Sequence, residues 1–185
     1  MLPLVPLQPP ELLMVGISAI IYRTDNIVKK IYRTTDEIPI TKQNIIATRN
    51  EATIYSILGD HPRYVDAHRT TTAIITDTDS RHWAHQMIES IAFIHSMGIR
   101  HSDLRLDQWL LDTDLNARLS DFNRTRFNGK PDLKLKGFPV LGIEKASHYL
   151  PRGPEMDNTV ESDLFALGSA LYELVAGHET IRGTR

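Results

Sequence analysis

The chain has 185 residues, 41% of them hydrophobic, and a formal net charge of -2. That length sets a prior of one domain, and that apolar fraction excludes disorder throughout. The near-zero charge gives no bulk electrostatic case for nucleic acid or an anionic membrane, and the lack of any Cys rules out disulfides, Cys-based zinc sites and thiol catalysis. No apolar run approaches the ~20 residues of a transmembrane helix. The start, MLPLVPLQPP, is broken by four prolines and has no basic segment, so it does not read as a signal peptide. The expectation is a soluble intracellular protein, cytoplasmic or nuclear.

Met1 to Pro10 reads as an extended, poorly ordered lead. Glu11 to Gly16, Ser18 to Arg23 and Ile27 to Tyr32 read as three strands, with Asp25-Asn26 as a turn, so an antiparallel meander is expected. Period-2 alternation puts Lys29 on one face with Ile27 and Ile31, and Lys30 on the other with Val28 and Tyr32. Thr34 to Gln43 is a polar connection. A helix is then expected with Thr48 as N-cap, Glu51 at capping-box spacing, Ile54, Tyr55 and Leu58 on one face, and Gly59 as the stop.

Ser80 to Met97 carries the clearest helical period, through Trp83, Ala84, Met87, Ile88, Ile91, Ile94 and Met97, with Gly98 ending it. His82, His85 and Glu89 on its polar side have the spacing of an H-x-x-H metal site, but a solvated helix face explains the same residues. Arg124 to Asn158 is rich in Gly, Lys and Pro without strong periodicity and reads as a loop. The stretch V-E-S-D-L-F-A-L-G-S-A-L-Y-E-L-V-A-G closes with a helix. Its expected apolar stripe is Leu164, Leu167, Leu171, Leu174 and Val175, and Gly177 is its stop.

Between these helices lies Ile99 to Asn123, IRHSDLRLDQWLLDTDLNARLSDFN. Trp109 to Leu111 and Ala117 to Leu119 read as a small β-hairpin turning through Asp112 to Asn116. A hairpin brings its ends together, so Asp103 before it and Asp121 after it should share one site.

This stretch resembles the catalytic core of a eukaryotic-type protein kinase. His101-Ser102-Asp103-Leu104 with Gln108 matches the family's H-R-D-L-x-x-x-x-N, and Asp121-Phe122-Asn123 matches its D-F-G. The resemblance implies an α+β, two-lobe kinase-like fold that transfers phosphoryl from ATP, with Mg2+, to protein Ser/Thr hydroxyls. Asp103 would be the catalytic carboxylate, with Arg105 near the γ-phosphate. Asp121 and Gln108 would hold metal. Gly16 and Ser18 would lie over the phosphates in a degenerate glycine-rich turn, with Lys29, favoured over Lys30, contacting them.

Glu51 would pair with that lysine, a role that competes with the capping box. Asp163 would tie the catalytic loop's backbone. Ser102 stands in place of the Arg that answers an activation-segment phosphate, and Asn123 in place of the D-F-G glycine, where Asn tolerates left-handed backbone. Pro154-Glu155 has the look of the family's A-P-E.

The expected organisation is residues 1–13 as a disordered lead, 14–66 as a partial N-lobe, and 67–185 as a partial C-lobe. Two further strands and the adenine-binding hinge are expected to be missing near Asp66 to His68, where Ala73 to Ile75 is the one strand-like run. Large-lobe helices after Gly177 are also expected to be missing, exposing apolar surface. ATP and a protein substrate are the implied partners, with no nucleic acid and no membrane. The run from Leu150 to Leu174 looks most like divergent protein-kinase-like proteins of filamentous fungi. A pseudokinase or inactive binding module is the alternative reading, and a small-molecule phosphotransferase a lesser one.

Overall fold

The computed structural model describes residues 10–24, 27–62, 64, 77–139, 144–153 and 156–178. The Asp25-Asn26 turn, the Asp66 to His68 junction, Ala73 to Ile75 and Pro154-Glu155 lie outside them. The chain divides into two compact units, residues 1–49 and 50–185.

The first unit holds a three-stranded antiparallel meander of β1 (Glu11–Val15), β2 (Ala19–Thr24) and β3 (Ile27–Tyr32), in that order. β1 opens at Glu11, so the last three residues of the expected disordered lead are strand. Gly16 N–H donates to Ala19 O at 2.8 Å and closes the first turn. Lys29 lies opposite Tyr22, and Lys30 opposite Ile21.

Helix α1 (Ile38–Leu58) begins here and runs into the second unit. Its start corrects the expected one at Thr48. Pro39 sits in the first turn, where a missing N–H costs nothing. Asn44 Nδ2 donates to Arg33 O at 2.8 Å, and Thr41 Oγ1 accepts from Thr35 N at 2.9 Å, so polar side chains of the helix's own early turns hold the chain entering it. Thr48 is an interior residue whose hydroxyl donates back to Asn44 O at 3.0 Å. The Thr48–Glu51 capping box therefore does not exist, and Glu51 is released for another partner.

In the second unit, α2 (Asp77–Ser96) packs on the hairpin of β5 (Trp109–Leu111) and β6 (Ala117–Leu119). The hairpin register is Trp109↔Leu119, Leu110↔Arg118 and Leu111↔Ala117, as the alternation required. The buried arc of α2 is Trp83, Gln86, Met87, Ser90, Ile91 and Ile94. Ile88, expected in the core, is 50% exposed, because the inward arc passes through Gln86 and Ser90 instead. Both polar residues serve the hairpin. Gln86 accepts from Ala117 N at 2.6 Å and donates to Asn116 Oδ1 at 2.8 Å, while Ser90 Oγ accepts from Trp109 Nε1 at 3.1 Å. Trp83 Nε1 donates to Leu115 O at 2.6 Å. Buried side chains such as Met87, Ile91 and Ile94 each contribute about 1.5–3 kcal/mol of apolar burial.

A second sheet joins β4 (Ile99–Arg100), β7 (Arg126–Lys130) and β8 (Leu135–Phe138), all antiparallel. This corrects the expectation that residue 124 opens a structureless loop. Phe127 is fully buried and paired with Ile99 on one side and Phe138 on the other, which anchors the strand. Gly129 (φ +87°) and Gly137 allow the two strands to approach: a Cβ at Gly137 would lie 2.7 Å from backbone atoms of Phe127 and Asn128.

Helix α3 (Val160–Ala176) starts with a capping box in which Thr159 and Ser162 exchange hydrogen bonds, and stops at Gly177 in the left-handed region. Its buried face carries Ser162, Asp163, Ala166, Leu167, Ser169, Ala170, Glu173 and Leu174. Leu164 and Val175, expected in the stripe, are exposed. Asp163 and Ser169 face inward and bind backbone of other segments, as described below. The observed elements make an α+β chain with a small antiparallel sheet and, among the described residues, three α-helices.

Candidate active site

Asp163 organises the loop after β4. Its buried carboxylate accepts His101 N–H at 2.8 Å and Ser102 N–H at 2.9 Å, and its Oδ2 lies 2.9 Å from His95 Nε2. Two consecutive N–H groups aimed at one carboxylate force a sharp corner. Ser102 takes the left-handed region, φ 67°, with its hydroxyl on Arg100 O at 3.2 Å. The chain then delivers Asp103 and Leu104, both buried, before a 3-10 turn at Leu106–Gln108.

Asp103 Oδ1 lies 3.4 Å from Arg105 Nε, and Arg105 also reaches Asp107. Burial pushes the Asp103 carboxyl above the usual carboxylate range. Arg105, His101 and Arg124 pull the other way without cancelling it, and the charge of Asp121 adds to the rise. Asp121 is thus near enough to Asp103 for its charge to be felt.

The hairpin between them is closed at its mouth by Ser120, whose N–H and hydroxyl both donate to Gln108 O at 2.9 Å. His101 Nε2 lies 2.9 Å from Ser120 O, tying the two acidic motifs to one another. Gln108 is 4% exposed.

Asp121 takes the left-handed region, φ 62° and ψ 55°, and leads into a 3-10 turn at Phe122–Arg124. The positive φ expected at Asn123 therefore falls on Asp121. Phe122 explains the shift. Its ring is fully buried among Tyr55, Tyr64 and His101, with centroid distances of 5.3, 5.7 and 5.3 Å. Its N–H donates to Glu51 Oε1 at 3.1 Å. Seating both the ring and the N–H turns the backbone at the residue before.

Asp103, Arg105, Gln108, Asp121 and Glu51 all lie in the second unit. Gly16, Ser18 and Lys29 lie in the meander of the first, where Lys29 is exposed.

A model of the protein kinase domain matches residues 24–185. The chain belongs to that family. Among curated proteins it is 27% identical over 115 residues to the serine/threonine-protein kinase PDK1 of Cryptococcus neoformans, covering 57% of this chain and 9% of that protein. It is 30% identical over 115 residues to a probable CTD kinase subunit alpha homolog of Encephalitozoon cuniculi, covering 60% of this chain and 32% of the relative. With the human NUAK family SNF1-like kinase 1 it shares 29% over 126 residues, 66% of this chain and 18% of the relative. The matched stretch spans a third or less of each relative's length.

Other parts of this kinase domain were less visible in the sequence. Glu144 is buried against Arg152 Nη2 at 2.6 Å and accepts Asn158 Nδ2 at 2.8 Å. Burial raises its carboxyl above the usual range despite Arg152. His148 and Glu173 are also buried together, with Nε2 and Oε1 3.6 Å apart, and Ser169 Oγ donates to Ser147 O at 3.1 Å. A buried acid paired across an irregular segment leaves no periodic trace, so only the isolated charges in 144–158 could have signalled it.

His82 and His85 of α2 point to different partners. His82 Nε2 lies 2.8 Å from Gln86 Nε2 and 3.4 Å from Asn116 Oδ1, and His85 pairs with Glu89 at 3.3 Å. Among the described residues, no three His, Cys, Asp or Glu side chains cluster as a metal site. No helix among them is long and apolar enough to cross a membrane.

Proposed function

We propose that this kinase domain transfers the γ-phosphoryl group of ATP, with Mg2+, to serine or threonine hydroxyls of a protein substrate. The observation that carries the reading is the paired placement of Asp103 and Asp121 at the mouth of one hairpin, locked by Ser120, His101 and Asp163. The serine/threonine relatives support the acceptor class.

The donors present suit Mg2+, a hard cation that takes one or two carboxylates and completes its shell with phosphate oxygens and water. The Asp121 carboxylate would hold it, with the Gln108 amide oxygen as a second donor. Bound there, the metal neutralises charge on the phosphates. Asp103 accepts the proton of the attacking hydroxyl and orients it, and its raised carboxyl makes it a better base than a solvated aspartate. Arg105 carries positive charge beside it. Gly16, Ser18 and Lys29 are assigned to the phosphates, and Glu51 to lysine pairing, from their motif positions. The wording around Leu150 to Leu174 supports a place among divergent fungal members.

Gln108 favours a second reading. Where family members carry Asn, the longer amide is enclosed here, and a displaced metal donor would leave a pseudokinase that binds partners without chemistry. One experiment separates the two. Saturating Mg·ATP at a hundredfold over Kd should stabilise the purified chain by roughly 2.7 kcal/mol. Asp121→Ala should lose that shift, and Asp103→Asn should keep it while losing phosphorylation of a generic basic protein substrate. No shift in the wild-type chain, or phosphorylation that survives Asp103→Asn, overturns the kinase reading.

A further inference from the structure

A cavity of about 420 Å³ opens between the 52–57 stretch of α1, Met97 at the foot of α2, and the β7–β8 hairpin. None of its lining residues belongs to the catalytic loop or to the Asp121-Phe122-Asn123 corner. Its size falls within the roughly 300–1,000 Å³ of small-molecule sites. Ile57, Met97, Leu133 and Leu135 make its apolar walls, and Ser56 adds a hydroxyl. Leu133 is left 59% exposed at this wall.

Lys130 is the one charged residue that lines the cavity. Its Nζ lies 3.5 Å from Met97 Sδ, and among the described residues that is its one polar contact. A thioether is a weak acceptor, and an ammonium carries three donors. The lysine is therefore half-buried at an apolar wall with most of its hydrogen-bonding capacity directed away from protein acceptors. The missing complement is a strong anionic acceptor carried on an apolar body. A single ammonium answers a single negative charge. A phosphate monoester would bring about -1.5 to -2 and leave much of it unanswered.

We propose that this cavity binds an amphipathic monocarboxylate of the medium-chain aliphatic type. Its carboxylate accepts from Lys130 Nζ, and its chain lies against Leu133, Leu135, Met97 and Ile57. The occupant bridges α1 and the β7–β8 hairpin without touching the catalytic groups.

Decanoate below its micellar concentration tests this, titrated calorimetrically into the full chain with 13C-labelled methionine methyls. Binding with one-to-one stoichiometry and a moving Met97 methyl signal, assigned through Met97→Leu, are expected. Lys130→Met should weaken binding by roughly tenfold or more, the loss of one charge-assisted hydrogen bond. Lys130→Gln serves if Met disturbs the fold. Ser56 is exposed, so Ser56→Phe should fill the cavity and abolish binding in a chain whose circular dichroism is unchanged. Decanol should bind at least roughly tenfold more weakly than decanoate, by the same lost charge. No decanoate binding to the folded wild type, equal binding of decanol, or binding indifferent to both the Lys130 and Ser56 variants overturns the proposal. None of these readouts involves nucleotide or phosphorylation, so the result stands apart from the kinase reading.

Discussion

Replacing Asp163 by alanine should be among the most damaging single changes in the second unit. The carboxylate is fully buried and receives His101 N–H at 2.8 Å and Ser102 N–H at 2.9 Å, with His95 Nε2 at 2.9 Å. Each buried N–H left without an acceptor costs about 1–3 kcal/mol. Two of them, with a small cavity in place of the carboxylate, sum to about 4 kcal/mol. A domain is stable by only about 5–15 kcal/mol, so that is a large share. The left-handed turn at Ser102 loses its restraint in the same step, and the loop carrying Asp103 should relax. Urea unfolding followed by tryptophan fluorescence reads this directly, because both tryptophans, Trp83 and Trp109, are buried in the second unit. His85→Ala is the control: an exposed residue with one surface pair should stay within about 0.5 kcal/mol of wild type. An Asp163→Ala loss below about 1 kcal/mol would show that the loop holds its shape by other means, and the argument would fail.

Burial acts against the Asp112 carboxylate, but the Asn116 N–H and Arg118 outweigh it and hold it below the usual range. Its stabilisation is therefore complete above the ordinary aspartate pKa of about 3.9 and is lost as pH falls through the depressed value. The urea-midpoint gap between wild type and Asp112→Asn should close below about pH 4. Asp103 has the opposite sign. Its raised carboxyl makes the ionised form unfavourable in the fold, so Asp103→Asn should match or exceed the wild-type melting temperature at neutral pH, with the gain shrinking on acidification. Gly137→Ala puts a Cβ 2.7 Å from backbone of Phe127 and Asn128 and should cost about 1–3 kcal/mol, visible as faster amide exchange in β7 and β8. Arg152→Met leaves Glu144 buried without its cation and should destabilise by about 3–5 kcal/mol in urea at neutral pH.

Features carried by strict local chemistry were legible in the sequence. The hairpin from Trp109 to Leu119 has period-2 alternation around a turn that Asp112 caps by accepting the Asp114 and Asn116 N–H groups, and its register came out residue by residue. The meander and the stops at Gly98 and Gly177 were equally local. The closure that brings Ser120 onto Gln108 at the hairpin's mouth was legible in the same way. The start of α1 was not legible, because Thr48 and Glu51 carry a capping signature in the middle of a helix that Pro39 and Asn44 already start. Choosing which face of α2 or α3 turns inward failed for a different reason. Leucine and isoleucine counts favoured Ile88, Leu164 and Val175, whereas the buried arcs pass through polar side chains with partners distant in the chain, such as Gln86 on Ala117 N and Asp163 on His101 N. Such pairings are long-range in the chain and leave no period.

That distinction bears on how the site is held. Two acids that shape it accept backbone N–H groups: Asp163 those of His101 and Ser102, and Glu51 that of Phe122. A carboxylate bound to main chain dictates backbone direction whatever side chains the loop carries. The loop can then carry Ser102 for Arg and Gln108 for Asn without losing its path, since the turn at His101 is set chiefly by main-chain N–H groups on Asp163. Helix α3 extends the same logic past the site. One end ties the catalytic loop through Asp163, while Ser169 and Glu173 further along meet Ser147 and His148 of the later segment. The buried face of one helix thus meets two irregular stretches, which is why it carries acidic and small residues beside Leu167 and Leu174.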